Sequence, residues 1–332
     1  MHVLVTGGAG YIGSVAAEEL IKAGHNVVVF DNLSRGHLAA VPRGADFFHG
    51  DLLRPETLDR CFRQYPGIEG VMHFAAFALV PESMRDPGLY FHNNVGGTQN
   101  LLDTMVRYGV DRLIFSSTCA TYGIPAVVPI TEETPTAPIN PYGESKLMVE
   151  RMLHWYSQVY GLRFAALRYF NACGATEAHG EDHDPETHMI PIVLQVALGK
   201  RPFVPITGED YPTRDGTGVR DYIHVVDLIA AHISALLALQ PGDRRIYNLG
   251  TGTGVSVREI VQAARDVSGH PIPAQSAPRR PGDPPELVAA AGKATCELDW
   301  QPRYSDIHTI LQTAWDWHRS HPDGYEGNPE PR

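Results

Sequence analysis

The feature that most constrains the fold is a glycine-rich turn near the N-terminus. Gly7, Gly10 and Gly13 lie directly between the apolar run 3–5 and an amphipathic segment that begins near Ser14. Without side chains the turn can be tight, and a phosphate can approach the free N–H groups at the start of the helix. The pattern predicts a strand–turn–helix unit that binds a pyrophosphate, and a purely structural tight turn is the competing interpretation.

An acidic residue follows at the distance that a dinucleotide site requires. Asp31 stands 18 residues after Gly13, at the end of the second apolar run, 27–30. A carboxylate there would hold a ribose 2′-hydroxyl and would repel a 2′-phosphate. The sequence therefore predicts NAD rather than NADP as the cofactor.

The first half of the chain alternates short apolar runs with segments of helical period. We predict strands at 3–5, 27–30, 46–48, 71–74, 113–115 and 164–167, and helices at 14–23, 90–108 and 142–159. Continuous apolar strands separated by helices indicate a parallel sheet that is covered on both faces. The predicted fold class is α/β, with a doubly wound parallel sheet of the Rossmann type.

The pattern changes after Asn171. We predict a long loop at 173–188, helices at 191–199, 226–239, 257–268 and 305–319, an isolated strand at 246–249 and a loose tail at 322–332. The proline-rich run 271–285 can form neither a helix nor a central strand. We expect an NAD-binding Rossmann domain over 1–171, with returning segments near 222–250, and a smaller mixed α/β substrate-binding lobe over 172–332.

Charge and cysteine usage exclude several classes of protein. The formal net charge of -11 argues against nucleic acid as a partner, because a phosphate backbone needs a basic surface. The four cysteines show no paired spacing, so we expect neither a disulfide framework nor a zinc site. Unpaired cysteines are typical of a reducing compartment, so we expect a cytoplasmic location. No apolar run reaches the ~18 residues of a membrane span, and the N-terminus does not look like a signal peptide.

Histidines are numerous, which invites a metal-binding interpretation. Three of them, His179, His183 and His188, fall in the predicted loop without an established ligand spacing. Solvated or hydrogen-bonding roles are the commoner reading of such residues. We therefore predict no metal site.

A second group of residues carries chemistry. Tyr142 and Lys146 are four residues apart, which places their side chains on one face of a helix. An ammonium beside a phenol favours the phenolate, so Tyr142 is a candidate general base for an alcohol hydroxyl, although such pairs also occur by chance on solvated helices. Ser116-Ser117-Thr118 directly follows the predicted strand 113–115 and supplies hydroxyl groups there.

The glycine turn, the Tyr-x-x-x-Lys helix and the hydroxyl after the fifth strand together resemble the extended short-chain dehydrogenase/reductase family. Further segments are similar to the UDP-sugar 4-epimerases of that family, and they extend over nearly the whole chain: 31–34, 73–76, 93–95, 141–150, 168–171, 216–225, 247–250 and 277–280. The last of these lie in the predicted substrate lobe, where sister activities on the same fold differ.

The resemblance implies three sets of site residues. The catalytic residues would be Thr118, Tyr142 and Lys146. The cofactor would contact Gly7, Gly10, Tyr11, Ile12, Gly13, Asp31, Asn32, Asp51, Leu52, Phe74, Ala75, Ala76, Asn93, Lys146, Tyr169 and Phe170. The UDP-sugar would contact Thr118, Tyr142, Asn171, His188, Met189, Arg220, Tyr222, Arg280, Asp283 and Leu287.

The implied activity is that of an isomerase, a UDP-glucose/UDP-galactose 4-epimerase. It would invert the sugar C4 reversibly through a 4-keto intermediate, with transient hydride transfer to bound NAD. Epimerases of UDP-N-acetylhexosamines or UDP-pentoses are the alternatives. Nucleotide-sugar 4,6-dehydration is set aside because Cys119 and Ala120, which follow Thr118, cannot supply its acid/base pair.

Two further expectations follow from the resemblance. Leu287 occupies a gating position where a tyrosine restricts members of the family to glucose and galactose, so the smaller leucine predicts that UDP-N-acetylglucosamine is also accepted. A homodimer is expected through the helix that bears the tyrosine and its neighbour. Apolar residues on that helix exceed what one core face needs: Leu147, Val149, Met152 and Trp155.

Overall fold

The computed structural model of the chain describes residues 1–279 and 283–325. Its strands are β1 (His2–Thr6), β2 (Asn26–Asp31), β3 (Asp46–His49), β4 (Gly70–His73), β5 (Arg112–Thr118), β6 (Arg163–Tyr169), β7 (Asn171–Cys173), β8 (Val204–Thr207), β9 (Val219–His224), β10 (Arg244–Leu249), β11 (Gly254–Ser256), β12 (Ala274–Ala277) and β13 (Glu286–Leu287).

The helices are α1 (Tyr11–Lys22), α2 (Pro55–Gln64), α3 (Val80–Ser83), α4 (Pro87–Tyr90), α5 (Gly97–Tyr108), α6 (Pro141–Tyr160), α7 (Met189–Ala197), α8 (Val225–Ala238), α9 (Val257–Ser268), α10 (Gly292–Leu298) and α11 (Ile307–Ser320). A π-helical segment, Phe91–Gly96, joins α4 to α5. No helix in the described ranges combines the length and the apolarity that crossing a membrane requires.

The large sheet has seven strands in the order β10-β6-β5-β4-β1-β2-β3, and every neighbouring pair is parallel. The chain reverses its direction of winding at β1, which lies between β2 and β4. In open parallel sheets, ligands bind beyond the carboxyl ends of the strands at such a reversal. The glycine turn follows β1, so the topology places it at this crevice.

Helices cover both faces of this sheet, because alternate side chains of each strand point to opposite sides. On one face, Val3 and Val5 of β1 pack in a buried apolar core with α1 and α8. On the other face, Leu4 packs in a second core with α2, α5 and α6. The predicted doubly wound α/β fold is confirmed.

The remaining strands form two small sheets. Strand β9 pairs with β7 and β13 in parallel and with β11 in antiparallel orientation, while β8 pairs with β12. Helices α7, α9 and α11 share a third buried core beside them. In the described part of the proline-rich run, strand β12 pairs with β8 alone, which agrees with the prediction that this run forms no central strand.

Three features differ from the sequence-based expectations. The strand predicted as isolated at 246–249 belongs to β10, which pairs in parallel with β6 at the edge of the large sheet. Helix α2 was not predicted, because only Leu58, Cys61 and Phe62 of its ten residues are buried and apolar. The tail was predicted to be loose, yet its described part is held: the Tyr325 hydroxyl accepts a hydrogen bond from the Gly180 N–H at 3.0 Å, and its ring packs on Trp317. Residues 326–332 lie outside the described ranges.

Candidate active site

A single cleft of about 1080 Å³ lies beyond the carboxyl ends of the large sheet and extends to the small sheet that contains β9. All of the site residues predicted from the sequence line it, apart from Arg280, which lies outside the described residues. The structure thus brings the predicted catalytic, cofactor and substrate residues of the described ranges to one place.

The glycine turn forms a tight cradle at one end of the cleft. Gly7 has φ +73°, and a Cβ atom there would lie 2.5 Å from the backbone nitrogen of Ala75, while a Cβ at Gly13 would collide with the Gly7 carbonyl oxygen. Helix α1 begins at Gly10 without a side-chain cap, so its first N–H groups are left for an anion. These features fit the pyrophosphate of a dinucleotide.

Asp31 fixes the glycine turn to the end of β2. Its carboxylate accepts hydrogen bonds from the N–H groups of Ala9 at 3.0 Å and Leu33 at 2.8 Å. Burial raises the pKa of Asp31, and these backbone hydrogen bonds act in the opposite direction. The carboxylate lines the cleft beside Asn32, which is the position that a ribose hydroxyl needs.

Helix α6 carries the predicted catalytic pair. Its N-terminus is capped, because the Asn140 side chain accepts a hydrogen bond from the Gly143 N–H, and Pro141 occupies the first turn. The Lys146 ammonium donates a hydrogen bond of 2.8 Å to the carbonyl oxygen of Ser116, and its Nζ lies 5.0 Å from the centre of the Phe115 ring. Lys146 is therefore tied to the end of β5.

The electrostatics of this pair differ from the expectation that Lys146 would lower the pKa of the phenol. Burial raises the pKa of Tyr142 well above its ordinary value, whereas an interaction with the Thr118 hydroxyl lowers it. Burial also lowers the pKa of Lys146 to about 7, although the nearby Glu150 carboxylate raises it. Both groups occupy the same desolvated site, so each is pushed towards its neutral form.

A buried ion pair joins α6 to β6 next to the end of β5. Arg168 of β6 donates to the Glu150 carboxylate of α6 through Nε at 2.9 Å, and both side chains are almost completely buried. The same carboxylate accepts a hydrogen bond of 2.6 Å from Ser117 Oγ, next to Thr118. These residues fall within the segments that carried the family resemblance, but no role was predicted for them.

Charged and polar groups meet at the other end of the cleft. Arg220 of β9 donates to the Asp283 carboxylate and to the carbonyl oxygen of Val219, the latter at 2.7 Å. Asn171 donates from Nδ2 to the backbone oxygen of Asp221 at 3.1 Å. Strand β13 pairs Leu287 with Arg220, so Leu287 lines the cleft next to the guanidinium-bearing strand.

The loop before α7 is more ordered than the sequence suggested. His183 and His188 lie together with Glu181 and Glu186, and one donor atom from each residue falls within 4.8 Å of the others. His179 instead pairs with Glu18 of α1, with Nδ1 and Oε2 2.7 Å apart. The sequence predicted hydrogen-bonding or solvated roles for these histidines, and the structure adds that His183 and His188 share their carboxylate neighbours in the spacing Glu-x-His-x-x-Glu-x-His.

Other residues of the cleft carried no signal in the sequence. Pro205 and Thr207 reach it from β8, and Cys119 and Cys173 reach it from the ends of β5 and β7. Strand β8 pairs with the distant strand β12, so no local signal marked the first two. Burial raises the pKa of the Cys119 thiol to about 12, which disfavours the thiolate at neutral pH.

Comparison with known proteins agrees with this geometry. Residues 3–250 match the sequence profile described as Epimerase, NAD dependent epimerase/dehydratase family. The chain belongs to this family.

Several relatives within the NAD dependent epimerase/dehydratase family match the chain over almost its whole length. A UDP-glucose 4-epimerase of Lacticaseibacillus casei is 52% identical over 98% of this chain and 99% of its own length. A crystal structure of a UDP-glucose 4-epimerase superposes with a TM-score of 0.95 at 53% identity, covering 98% of this chain and 100% of the other. A Brucella ovis UDP-glucose 4-epimerase in complex with NAD gives a TM-score of 0.91 at 48% identity, covering 95% and 97%.

Membership of the NAD dependent epimerase/dehydratase family confirms the family resemblance, the Rossmann-type fold and the NAD cofactor that the sequence predicted.

Proposed function

We propose that this chain is an NAD-dependent UDP-glucose 4-epimerase, an isomerase that interconverts UDP-glucose and UDP-galactose. The observation that carries the proposal is the meeting of three groups in one cleft: the uncapped glycine turn, the Thr118–Tyr142–Lys146 group and the Arg220–Asp283 pair. A dinucleotide, a sugar hydroxyl and a diphosphate each find matching chemistry there.

The cofactor half of the cleft suits NAD. The N–H groups at the start of α1 would hold the pyrophosphate, Asp31 and Asn32 a ribose, and Asp51 and Leu52 the adenine end. When bound, NAD supplies the acceptor and donor of the hydride at the sugar C4, so the reaction has no net redox change.

The remaining proposed cofactor contacts line the cleft between these anchors and α6: Phe74, Ala75, Ala76, Asn93, Tyr169 and Phe170.

The protein's own catalytic groups handle the proton. As the phenolate, Tyr142 removes the proton of the sugar 4-hydroxyl, and it returns that proton after the sugar ring has turned over. Thr118 hydrogen-bonds the same hydroxyl and counteracts the rise in the Tyr142 pKa. Lys146, held by Ser116, stays close to the end of β5 and supplies positive charge to the site when it is protonated.

The substrate half of the cleft suits a UDP moiety. Arginine offers a planar fork to diphosphate oxygens, and Asp283 fixes the Arg220 guanidinium. Asn171, His188, Met189 and Tyr222 line the same half and are proposed as further contacts. The proposed division into an NAD-binding domain over 1–171 with returning segments near 222–250, and a substrate lobe over 172–332, is supported by β10 joining the large sheet.

The direct test is to incubate the purified protein with UDP-galactose, without added NAD, and to measure UDP-glucose. Conversion is expected, because the hydride returns and the cofactor stays bound. A protein that retains NAD but converts no UDP-galactose would overturn the proposal. If conversion required NADP, the proposed role of Asp31 would be contradicted, but the proposed epimerase activity would stand.

A second substrate class is favoured by one residue. Leu287 lines the cleft beside the strand that carries Arg220, and it packs against a small apolar cluster that includes Phe170. Because leucine is smaller than tyrosine, we propose that UDP-N-acetylglucosamine is also epimerised. Leu287→Tyr should suppress only that reaction and leave the conversion of UDP-galactose nearly unchanged. No conversion of UDP-N-acetylglucosamine by an enzyme that is active on UDP-galactose would contradict this.

We propose that the protein is a homodimer through α6. Leu147 and Val149, which were expected to contribute, are buried within the subunit, so they cannot form the interface. Other apolar side chains of the helix are exposed at helical spacing, among them Met148, Trp155 and Val159.

We also propose a cytoplasmic location, which is supported by four cysteines that form no disulfide in the described structure.

A further inference from the structure

The loop between β7 and α7 holds two carboxylates and two imidazoles in one cluster. His188 Nδ1 lies 2.8 Å from Glu181 Oε1 and 3.3 Å from Glu186 Oε1. His183 Nδ1 lies 3.3 Å from Glu181 Oε1 and 3.7 Å from Glu186 Oε2. Glu186 faces His188 through Oε1 and His183 through Oε2, and one donor atom from each of the four residues lies within 4.8 Å of the others. The four side chains therefore converge on one place.

The burial of the carboxylates makes the cluster unusual for a surface loop. The side chains of Glu181 and Glu186 are only 6% and 3% exposed. Two adjacent buried carboxylates require positive charge close by. Within residues 1–279 and 283–325, no lysine or arginine forms an ion pair with either of them, and His183 and His188 are their only charged partners.

One atom of the cluster is left without a hydrogen bond. His183 Nδ1 is shielded from solvent and faces both carboxylates, yet it has hydrogen-bond geometry with no group in the described part of the chain. A buried imidazole nitrogen in this position needs an explanation. A cation between the four donors would bind its lone pair and also neutralise the carboxylates.

The surrounding backbone holds the donors in place. Glu186 Oε1 accepts hydrogen bonds of 2.7 Å from the N–H groups of both Thr187 and His188. Arg201 donates to the backbone oxygen of Glu186 at 3.3 Å, and Asp182 accepts from the Tyr325 N–H at 3.0 Å. Such outer contacts orient ligands before an ion binds.

We propose that Glu181, His183, Glu186 and His188 form a binding site for a divalent transition-metal ion, with Zn²⁺ as the best match. Two imidazole nitrogens and two carboxylate oxygens are the donor set that such ions take, and one donor atom of each residue lies within 4.8 Å of the others. The ion would order the loop that leads into α7, and so hold His188 and Met189 at the cleft. It takes no part in the proton and hydride chemistry, and the site stands independently of the proposed function.

The competing account is that the same contacts are ion pairs between protonated imidazoles and carboxylates, with no affinity for metal. The test uses the full-length protein, stripped with a chelator and then titrated with Zn²⁺ alone in a calorimeter. Binding of about one ion per chain and a raised melting temperature are expected. Co²⁺ should give the intense visible absorption of a tetrahedral site, which an ion-pair cluster does not produce.

Variants then locate the site. His183→Gln and Glu186→Gln should each weaken Zn²⁺ binding by roughly 10-fold or more. His308→Gln is the matched control, because His308 also stands near two carboxylates, Asp266 and Asp306, but at the exposed surface. Equal affinity in all four proteins, or loss of binding only in His308→Gln, would overturn the proposal. If the cluster variants fail to fold, the wild-type Co²⁺ spectrum decides: absence of the tetrahedral signature overturns the site.

Discussion

At the scale of single residues, the phenol of Tyr142 and the amine of Lys146 share one desolvated site, and burial acts on both. It raises the pKa of the phenol and lowers the pKa of the amine to about 7. In the proposed mechanism, Tyr142 accepts the proton of a sugar hydroxyl as the phenolate, and burial opposes that form. The Thr118 hydroxyl, and Lys146 when it is protonated, favour the phenolate.

Tyr142→Phe should reduce turnover by at least about 10²-fold, since it removes the group that accepts the proton. The side chain is buried and its ring also packs edge-on against Tyr90, contacts that phenylalanine retains. The melting temperature and the amount of bound NAD should therefore change little. Turnover, bound cofactor and melting temperature are measured on the same preparation, and activity within a few-fold of the parent would remove Tyr142 from the mechanism.

At the scale of elements, α6 is positioned by a polar contact in the core as well as by its apolar face. Glu150 joins α6 to Ser117 of β5 and to Arg168 of β6, four residues after Lys146. The apolar neighbours Val149 and Leu153 bury the same side of the helix against the sheet. The ion pair thus fixes which residues of α6 face the end of β5.

Glu150→Gln should lower the free energy of unfolding by about 3–5 kcal/mol, because the Arg168 charge would remain buried without its partner. Glu144→Gln on the same helix is the control. The Glu144 side chain is partly exposed, at 38%, and its carboxylate stands 3.9 Å from Arg151, so its loss should cost less than about 1 kcal/mol. Urea unfolding measures both, and equal costs would contradict the role of the buried pair.

Helix α1 should contribute to acid sensitivity through Glu18. Burial alone would raise the pKa of Glu18, but hydrogen bonds from His179, Lys22 and Thr176 lower it to about 2. A carboxyl with a lowered folded-state pKa stabilises the protein above its unfolded value, 4.5, and this stability is lost as the pH falls towards about 2.

Between neutral pH and about pH 3, the free energy of unfolding of the wild type should fall by roughly 1–2 kcal/mol more than that of Glu18→Gln, after allowance for solvent screening. Glu19→Gln is the control on the same helix, since Glu19 contacts only Lys22 among these groups. Thermal unfolding across this pH range checks the difference. A Glu18→Gln variant with the same acid sensitivity as the wild type would contradict it.

At the scale of the whole molecule, the parallel sheet and its carboxyl edge could be predicted because they follow from local signals. The glycine turn, Asp31 and the apolar strands can each be recognised from a short stretch of sequence. The approach of Pro205 to the cleft could not be predicted, because it depends on the packing of distant segments. The cluster around His183 lies within eight residues, but its spacing is no established ligand pattern, and its convergence depends on how the loop folds. The shifted pKa of Lys146 was also inaccessible, since burial is a property of the assembled fold.

The proposed dimer predicts that Trp155→Lys yields monomers. Trp155 is 63% exposed, so lysine there should leave the subunit folded while placing a charge in the interface. Leu237→Lys is the control, because Leu237 is 52% exposed on α8. Light scattering at micromolar concentration measures the mass. A monomeric wild type, or equal dissociation of both variants, would count against this interface.

The most direct test of the central claim follows the hydrogen at the sugar C4. UDP-galactose carrying deuterium at C4 is incubated with the purified protein in ordinary water, and the UDP-glucose formed is examined by NMR and mass spectrometry. If hydride leaves C4 and returns within one site, the product keeps the deuterium at C4. Product that has exchanged its C4 label for a solvent hydrogen would contradict the account.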